Sequence, residues 1–311
     1  MWNPQDQLLF PSGASSPFKS NPSNTSFEPR MQSASIDQLM QQISDPANKA
    51  QAMATLIKRH PSTPDLAIRL WEFPNAVTTL LLEVVNTYKS LEPLKLTALD
   101  SERVCLAITL FQIIAYHPQT KLQLIKAQIP VYLYPFLSMK LKETPFENLR
   151  LTSLGVIGAL FMVDDKEICY SLLEAGVVLQ CLHSMNYGSE LSTSVAVYII
   201  LRLLKQEPGL NYFLQSKERF LALTGLFQKL LERLVKDAQP SLRLIKYILG
   251  CYICLSGSPQ LSRPNTSIEI ITRLHPPIFK DVAFHNYIRR VDPSIGMQIE
   301  DMYRNMYRTR S

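Results

Sequence analysis

Glycine is scarce in this sequence, 10 residues in 311 against 21 prolines. With Leu, Ile, Ala, Gln and Lys recurring through long stretches, that balance favours helices punctuated by proline over sheets. Strand-like alternation bounded by paired turn signals is missing as well. No apolar run approaches the roughly 18 to 20 residues that a membrane-spanning helix needs. The opening "MWNPQDQLLFPSGASS" has no basic segment ahead of an apolar core. An intracellular, soluble protein is expected, cytoplasmic with the nucleus as a second compartment, and no membrane partner. The five cysteines, Cys105, Cys169, Cys181, Cys251 and Cys254, are odd in number and lie mostly in apolar helical contexts, which reads as buried reduced thiols.

Catalytic signatures are equally absent. No G-x-S-x-G, G-x-x-x-x-G-K-[ST] or G-x-G-x-x-G occurs, and His60, His117, His183, His275 and His285 are scattered. His60 and His117 both precede a proline at a repeat boundary and read as helix capping. Asp164 and Asp165 sit at a helix end, placed to cap the next helix. "CYIC" at 251 to 254 matches C-x-x-C, but no second pair or histidines at ligand spacing accompany it, and it lies inside an apolar helical run. No catalytic residue, metal or cofactor is expected.

What is present is periodic. Residues 1–33, rich in Ser, Pro and Asn, have no period and read as a disordered tail. From "SIDQLMQQISD" onward the apolar residues follow a 3.6-residue period. It predicts helices over 35–43, 47–58, 64–71, 75–90, 100–116, 119–127, 130–140, 147–163, 166–174, 177–185, 190–205, 209–215, 218–236 and 240–256. Laid over one another, "LIKAQIPVYLYPFL", "LLEAGVVLQCLHSM" and "FLQSKERFLALTGL" share one grammar: a short helix ending in two apolar residues, a small residue, a tight break, then a second apolar helix. Ile125, Leu173 and Leu214 are equivalent, separated by 48 and 41 residues. A period in the forties with two or three helices per unit predicts an all-α solenoid, and the turn in "LLEAGVVLQCL" selects armadillo over HEAT. The expected architecture is a right-handed superhelical armadillo stack of about six repeats over residues 34–274, with 275–311 as a helical extension or tail.

In "ENLRLTSLGVIGALFMVDD", Gly155 and Gly158 stand inside one helix, where each costs about 1 kcal/mol relative to alanine. Removing a side chain lets two backbones, or a backbone and a ligand, approach closely. Packing between repeats is one reading and a ligand groove the other. Lys140, Lys142, Arg150, Arg202, Lys205, Arg219, Arg243 and Lys246 recur at intervals compatible with one inner surface that attracts phosphates or acidic peptides. The other reading is an ordinary solvated face. Trp71, Tyr132, Tyr134 and Phe136 are candidate stacking residues, although helical spacing favours core packing for most of them.

"PFENLRLTSLGVIGAL", "IPVYLYPFL", "GSELSTSVAVYI", "SERVCLAITLFQIIAYHPQT" and "PDLAIRLWE" together resemble the Rcd, "required for cell differentiation", family. The likeness runs from about residue 35 to 257 and fades after Ser258. It implies a non-enzymatic armadillo subunit of the Ccr/Not mRNA deadenylase complex. Such a subunit docks on the large Not scaffold and binds short peptides of RNA-binding repressors and silencing proteins, promoting mRNA decay and translational repression. Carried over by position, the peptide groove would use Trp71, Val85, Asn148 and Gly155. Asn148 stands where an aromatic is common, and Glu72, Pro74 and Thr78 also depart. Pockets for tryptophans would use Arg219, Phe220 and Pro259, with Lys217 in place of an aromatic and Gln260 in place of an arginine. A nucleic-acid cleft would draw on Arg150, Arg202, Lys205, Arg243 and Lys246, and a homodimer is a further option. Two other classes stay open, a direct nucleic-acid binder and a karyopherin-like adaptor. The adaptor would want a ladder of Trp and Asn on inner helices, and only Trp2 and Trp71 exist.

Overall fold

Side chains that touch across helices stand about one repeat apart in sequence. Ser101 Oγ donates to the Pro145 carbonyl at 2.7 Å, 44 residues on, and Thr152 Oγ1 to Cys105 Sγ at 3.5 Å across 47. Lys166 pairs with Glu207 across 41. The repeat length read from the sequence is therefore the stacking distance of the fold. In the computed structural model of the chain, the residues described are 34–91, 95–237, 239–262, 268–274 and 276–308; the expected tail over 1–33 lies outside them. The described residues are helical and contain no strand.

Contacts divide the chain into two units, Met1–Met162 and Val163–Ser311. In the first, α1 (Ile36–Gln42) and α2 (Lys49–Arg59) precede two groups. One is α3 (Leu66–Glu72), α4 (Ala76–Thr87) and α5 (Ala98–Tyr116). The other is α6 (Lys121–Lys126), a 3-10 turn over Ile129–Leu133 with α7 (Tyr134–Leu137), and α8 (Thr144–Leu160). In the second unit, α9 (Lys166–Glu174), α10 (Val177–Tyr187) and α11 (Glu190–Leu204) form one group. The next is α12 (Glu207–Leu214), α13 (Lys217–Lys236) and α14 (Leu242–Ser256), and α15 (Ile268–Arg273), α16 (Val282–Val291) and α17 (Pro293–Arg308) follow.

The third helix of each group is its core. On α5, Val104, Cys105, Ala107, Ile108, Leu110, Phe111, Ile113, Ile114 and Ala115 are all buried, so apolar side chains cover most of its circumference and leave one stripe, through Thr109 and Gln112, half-buried. A helix packed on most of its sides carries that pattern. α5 duly contacts α2, α3, α4 and α8. α11 behaves likewise, with Ser192 through Leu201 buried without a break and α10, α12 and α14 against it. Within three groups the first two helices are joined by a left-handed residue: Asn75 at φ 63°, Gln128 at φ 54° and Gly176 at φ 81°. The small-residue turn expected at "LLEAGVVLQCL" is Gly176, the cheapest residue at such a φ.

Local chemistry sets the ends. Asp165 caps α9, its carboxylate accepting from the N–H groups of Glu167 and Ile168, as expected. His117 closes α5, its Nδ1 accepting from Gln119 N at 3.3 Å. The single helix expected over 130–140 is instead a 3-10 turn and one short α-turn ending at Leu137. Pro130 and Pro135 remove two N–H donors there. The cysteines are free, four of them buried and Cys254 half-buried, and burial pushes the thiols of Cys251 and Cys254 up, away from ionisation.

The expected boundary at 274 falls short of where packing ends. α17 lies against α14 and α16, burying Ile295, Ile299 and Met302, while α16 buries Phe284 and Ile288. Lys246 on α14 pairs with Asp292, between α16 and α17, at 2.5 Å. The C-terminal helices are thus part of the packed second unit.

Candidate peptide-binding surfaces

In the first unit the site begins with α5 and α8, which run side by side in register. Thr97 caps α5 by accepting from Asp100 N, and Pro145 opens the first turn of α8, where its missing N–H costs nothing. Thr152 Oγ1 meets Cys105 Sγ. Farther along, a Cβ placed on Gly155 would lie 3.0 Å from Gln112 Oε1 and 3.3 Å from Gln112 Cδ. What Gly155 frees is therefore room for the half-buried amide of Gln112. Its neighbour is the movable end of a polar side chain, not the backbone of the adjoining helix.

The result is a strip of half-buried small polar groups, Thr109, Gln112, Asn148 and Thr152, over the buried Gly155. Asn148 and Gly155 are two turns apart and share this side of α8. Val85 on α4 and Trp71 on α3 are half-buried, and α5 is the neighbour common to α3, α4 and α8. Beside them, Glu83 accepts from Lys49 at 2.5 Å and Arg103 at 2.8 Å, and Arg103 also reaches Asp100 at 2.9 Å. A hydrogen bond from Thr97, with Arg103 beside it, holds the Asp100 carboxyl below its usual range. Two cations and two anions neutralise one another there, leaving hydrogen bonding and shape for recognition. Tyr132 is exposed while Tyr134 and Phe136 are buried, and Phe136 meets Tyr88 edge-on at 5.8 Å.

Arg150 does not belong to an open basic cleft. It is wholly buried, and its guanidinium donates to Glu147 and to the carbonyls of Met139 at 2.6 Å and Leu141 at 2.9 Å. It ties the 138–143 loop to α8. Of the other expected cleft residues, Arg202 pairs with Asp164 at 2.9 Å and Lys246 with Asp292. The Lys246 ammonium, with Ser294, holds the Asp292 carboxyl below its usual range. Lys205 is exposed and Arg243 half-exposed, with no ion pair among the described residues.

At the expected tryptophan pockets, Arg219 lies with its guanidinium 3.9 Å from the centre of the Tyr212 ring and donates to the Tyr212 carbonyl at 3.2 Å. Gln260 Nε2 donates to Asn211 Oδ1 at 3.1 Å, and Lys217 pairs with Glu269 at 2.8 Å. Pro259 is exposed at the start of a 3-10 turn, but Phe220 is core, 2% exposed. Tyr212 and Asn211 were not legible as site residues. They precede the break between α12 and α13, and only the fold brings them under Arg219 and Gln260.

Comparison with known proteins decides the family. A model described as "Cell differentiation family, Rcd1-like" matches residues 39–306. The chain belongs to that family. The Rcd1-like match runs past Ser258 to the last helix, in keeping with the packing of α16 and α17. The cell differentiation protein rcd1 of Schizosaccharomyces pombe is 38% identical over 261 residues, 84% of this chain and 89% of that protein. Protein CAF40 of Saccharomyces cerevisiae is 39% identical over 234 residues, 72% of this chain but 62% of that protein. Two designed proteins share the fold. A designed armadillo repeat protein in complex with the peptide (KR)4 has a TM-score of 0.58 at 15% identity, covering 88% of this chain and all of its own. A computationally designed armadillo repeat protein for modular peptide recognition has a TM-score of 0.61 at 16% identity, covering 87% and 99%. The Rcd1-like chain is thus an all-α armadillo-repeat protein.

Proposed function

We propose that this protein is a non-catalytic adaptor subunit of the Ccr/Not mRNA deadenylase complex. It docks on the large Not scaffold and presents the α5–α8 strip to short peptides of RNA-associated repressors, in the cytoplasm and secondarily in the nucleus. Family membership supports the complex. The observation that carries the peptide surface is Gly155 under the displaceable Gln112 amide, where a partner helix that swings Gln112 aside meets bare backbone. The basic-cleft alternative is weakened, because Arg150 is buried and Arg202 and Lys246 already hold carboxylates.

Tethered to a reporter mRNA, the protein should shorten the poly(A) tail only while the deadenylase subunits are present; shortening by the purified protein alone would defeat the adaptor reading. Gly155→Trp should push the flexible end of Gln112 outward and fill the strip, at a stability cost of roughly 1 to 3 kcal/mol for a bulky ring at a buried position. Affinity purification of that variant should recover the Not scaffold undiminished and lose the repressor partners by steric exclusion. Recovery of an unchanged set of partners would remove Gly155 from the peptide surface.

A further inference from the structure

A recess in the second unit lies between α10 and α13, with Arg273 of α15 at its edge and a volume of about 680 Å³. Its walls are Leu179 and Leu182 from α10 and Leu221 and Leu226 from α13. Leu179 is 67% exposed. Gly225 forms part of the floor, and nothing lies within 4 Å of where its Cβ would stand. No neighbouring helix within the unit requires that glycine. It keeps a shallow, leucine-lined trough open at a point where alanine would favour the helix.

The charge around the trough is one-sided. Toward the C-terminal end of α13, Lys229, Arg233 and Lys236 recur at helical spacing and are exposed, with no ion pair among the described residues. Arg273 joins them from α15, held by Gln228 Oε1 at 2.8 Å. The one acid among the described lining residues, Glu232, accepts from Gln228 Nε2 at 2.9 Å.

We infer that this trough is a second docking surface, which takes an amphipathic helix of a partner protein. The leucine face of that helix lies over Gly225 between Leu179 and Leu221, and its acidic flank meets Lys229, Arg233 and Arg273. Apolar walls give affinity, the missing side chain gives close approach, and complementary charge selects acidic over basic helices. The inference extends the adaptor reading without resting on the α5–α8 strip, so the two surfaces fail separately.

The test uses the full chain and a displayed library of helical peptides with Leu at i, i+3 and i+7 and randomised flanking positions. Selection on wild type should enrich Asp and Glu over Lys and Arg several-fold. Selected helices should bind Gly225→Trp at least ten-fold more weakly and lose affinity on Lys229→Glu with Arg233→Glu, yet bind Gly155→Trp normally. A melting curve confirms that Gly225→Trp is folded, as its open surroundings predict. Failure to enrich any helix, enrichment of basic flanks, or unchanged binding by Gly225→Trp would overturn the inference. So would self-association of the chain that Gly225→Trp abolishes, which assigns the trough to a second copy, or competition by poly(U) RNA with the same variant sensitivity, which assigns it to nucleic acid.

Discussion

Gly209→Ala should be among the most damaging single-methyl changes in this protein. A Cβ at Gly209 would lie 2.1 Å from the Leu203 carbonyl oxygen and 2.6 Å from the Leu203 carbonyl carbon. These are backbone atoms at the C-terminal end of α11, and the Leu203 carbonyl also accepts from Gln206 N at 3.0 Å. No rotamer relieves the clash, so α12 must move away from α11, against which it packs. Overpacking against a backbone that cannot yield costs roughly 3 kcal/mol or more. At about 2 to 4 °C per kcal/mol for a unit of this size, the transition should fall by on the order of ten degrees. The same methyl elsewhere sets the scale. At Gly250 its nearest neighbours are side-chain carbons of Leu201, at 3.0 Å and 3.1 Å, and at Gly225 it meets nothing within 4 Å. Gly250→Ala should cost little, and Gly225→Ala should stabilise by up to about 1 kcal/mol. Thermal melts of the three variants check the order; Gly209→Ala melting with wild type would refute the close approach of α11 and α12.

Arg150→Ala should cost about 3 to 5 kcal/mol, because it strips a wholly buried cation from three acceptors at once. The Glu147 carboxylate and the carbonyls of Met139 and Leu141 would be left with a solvation deficit, and the 138–143 loop would lose its tie to α8. Arg150→Lys should rescue little, since one ammonium cannot span acceptors arranged for a planar fork. Adding Glu147→Gln to Arg150→Met should recover part of the loss by removing the stranded charge. The decisive measurement pairs a melting curve with an RNA titration. A variant as stable as wild type but weakened only toward RNA would return Arg150 to an open cleft.

Helix positions were legible because a 3.6-residue apolar period records which side of a helix is buried, whatever it is buried against. The armadillo turn was legible because a left-handed residue ends one helix and starts the next within a few residues, and Gly176 is local in that sense. The cap at Asp165 is local too. Misread segments involve a local rule overridden by something nearby, as where Pro130 and Pro135 break 130–140 into a 3-10 turn and a single α-turn.

Arg150 shows the other limit. Its neighbours in "NLRLTS" give it the look of a surface cation, and its burial depends on a loop several residues upstream folding back to offer two carbonyls. Gly155, Gly209 and Gly225 are three glycines in helices, indistinguishable by type and setting. One makes room for the Gln112 amide, one lets two helices touch, and one faces open space, distinctions that exist only once the partner helix is in place. From the sequence alone this chain is a series of armadillo-type helical groups, because helices and turns follow from contacts short in sequence and the repeat shows in how alike successive segments are. Which charges are spent internally, which glycines are structural and which surfaces stay open was decided by the tertiary structure alone, because those properties depend on atoms one repeat away.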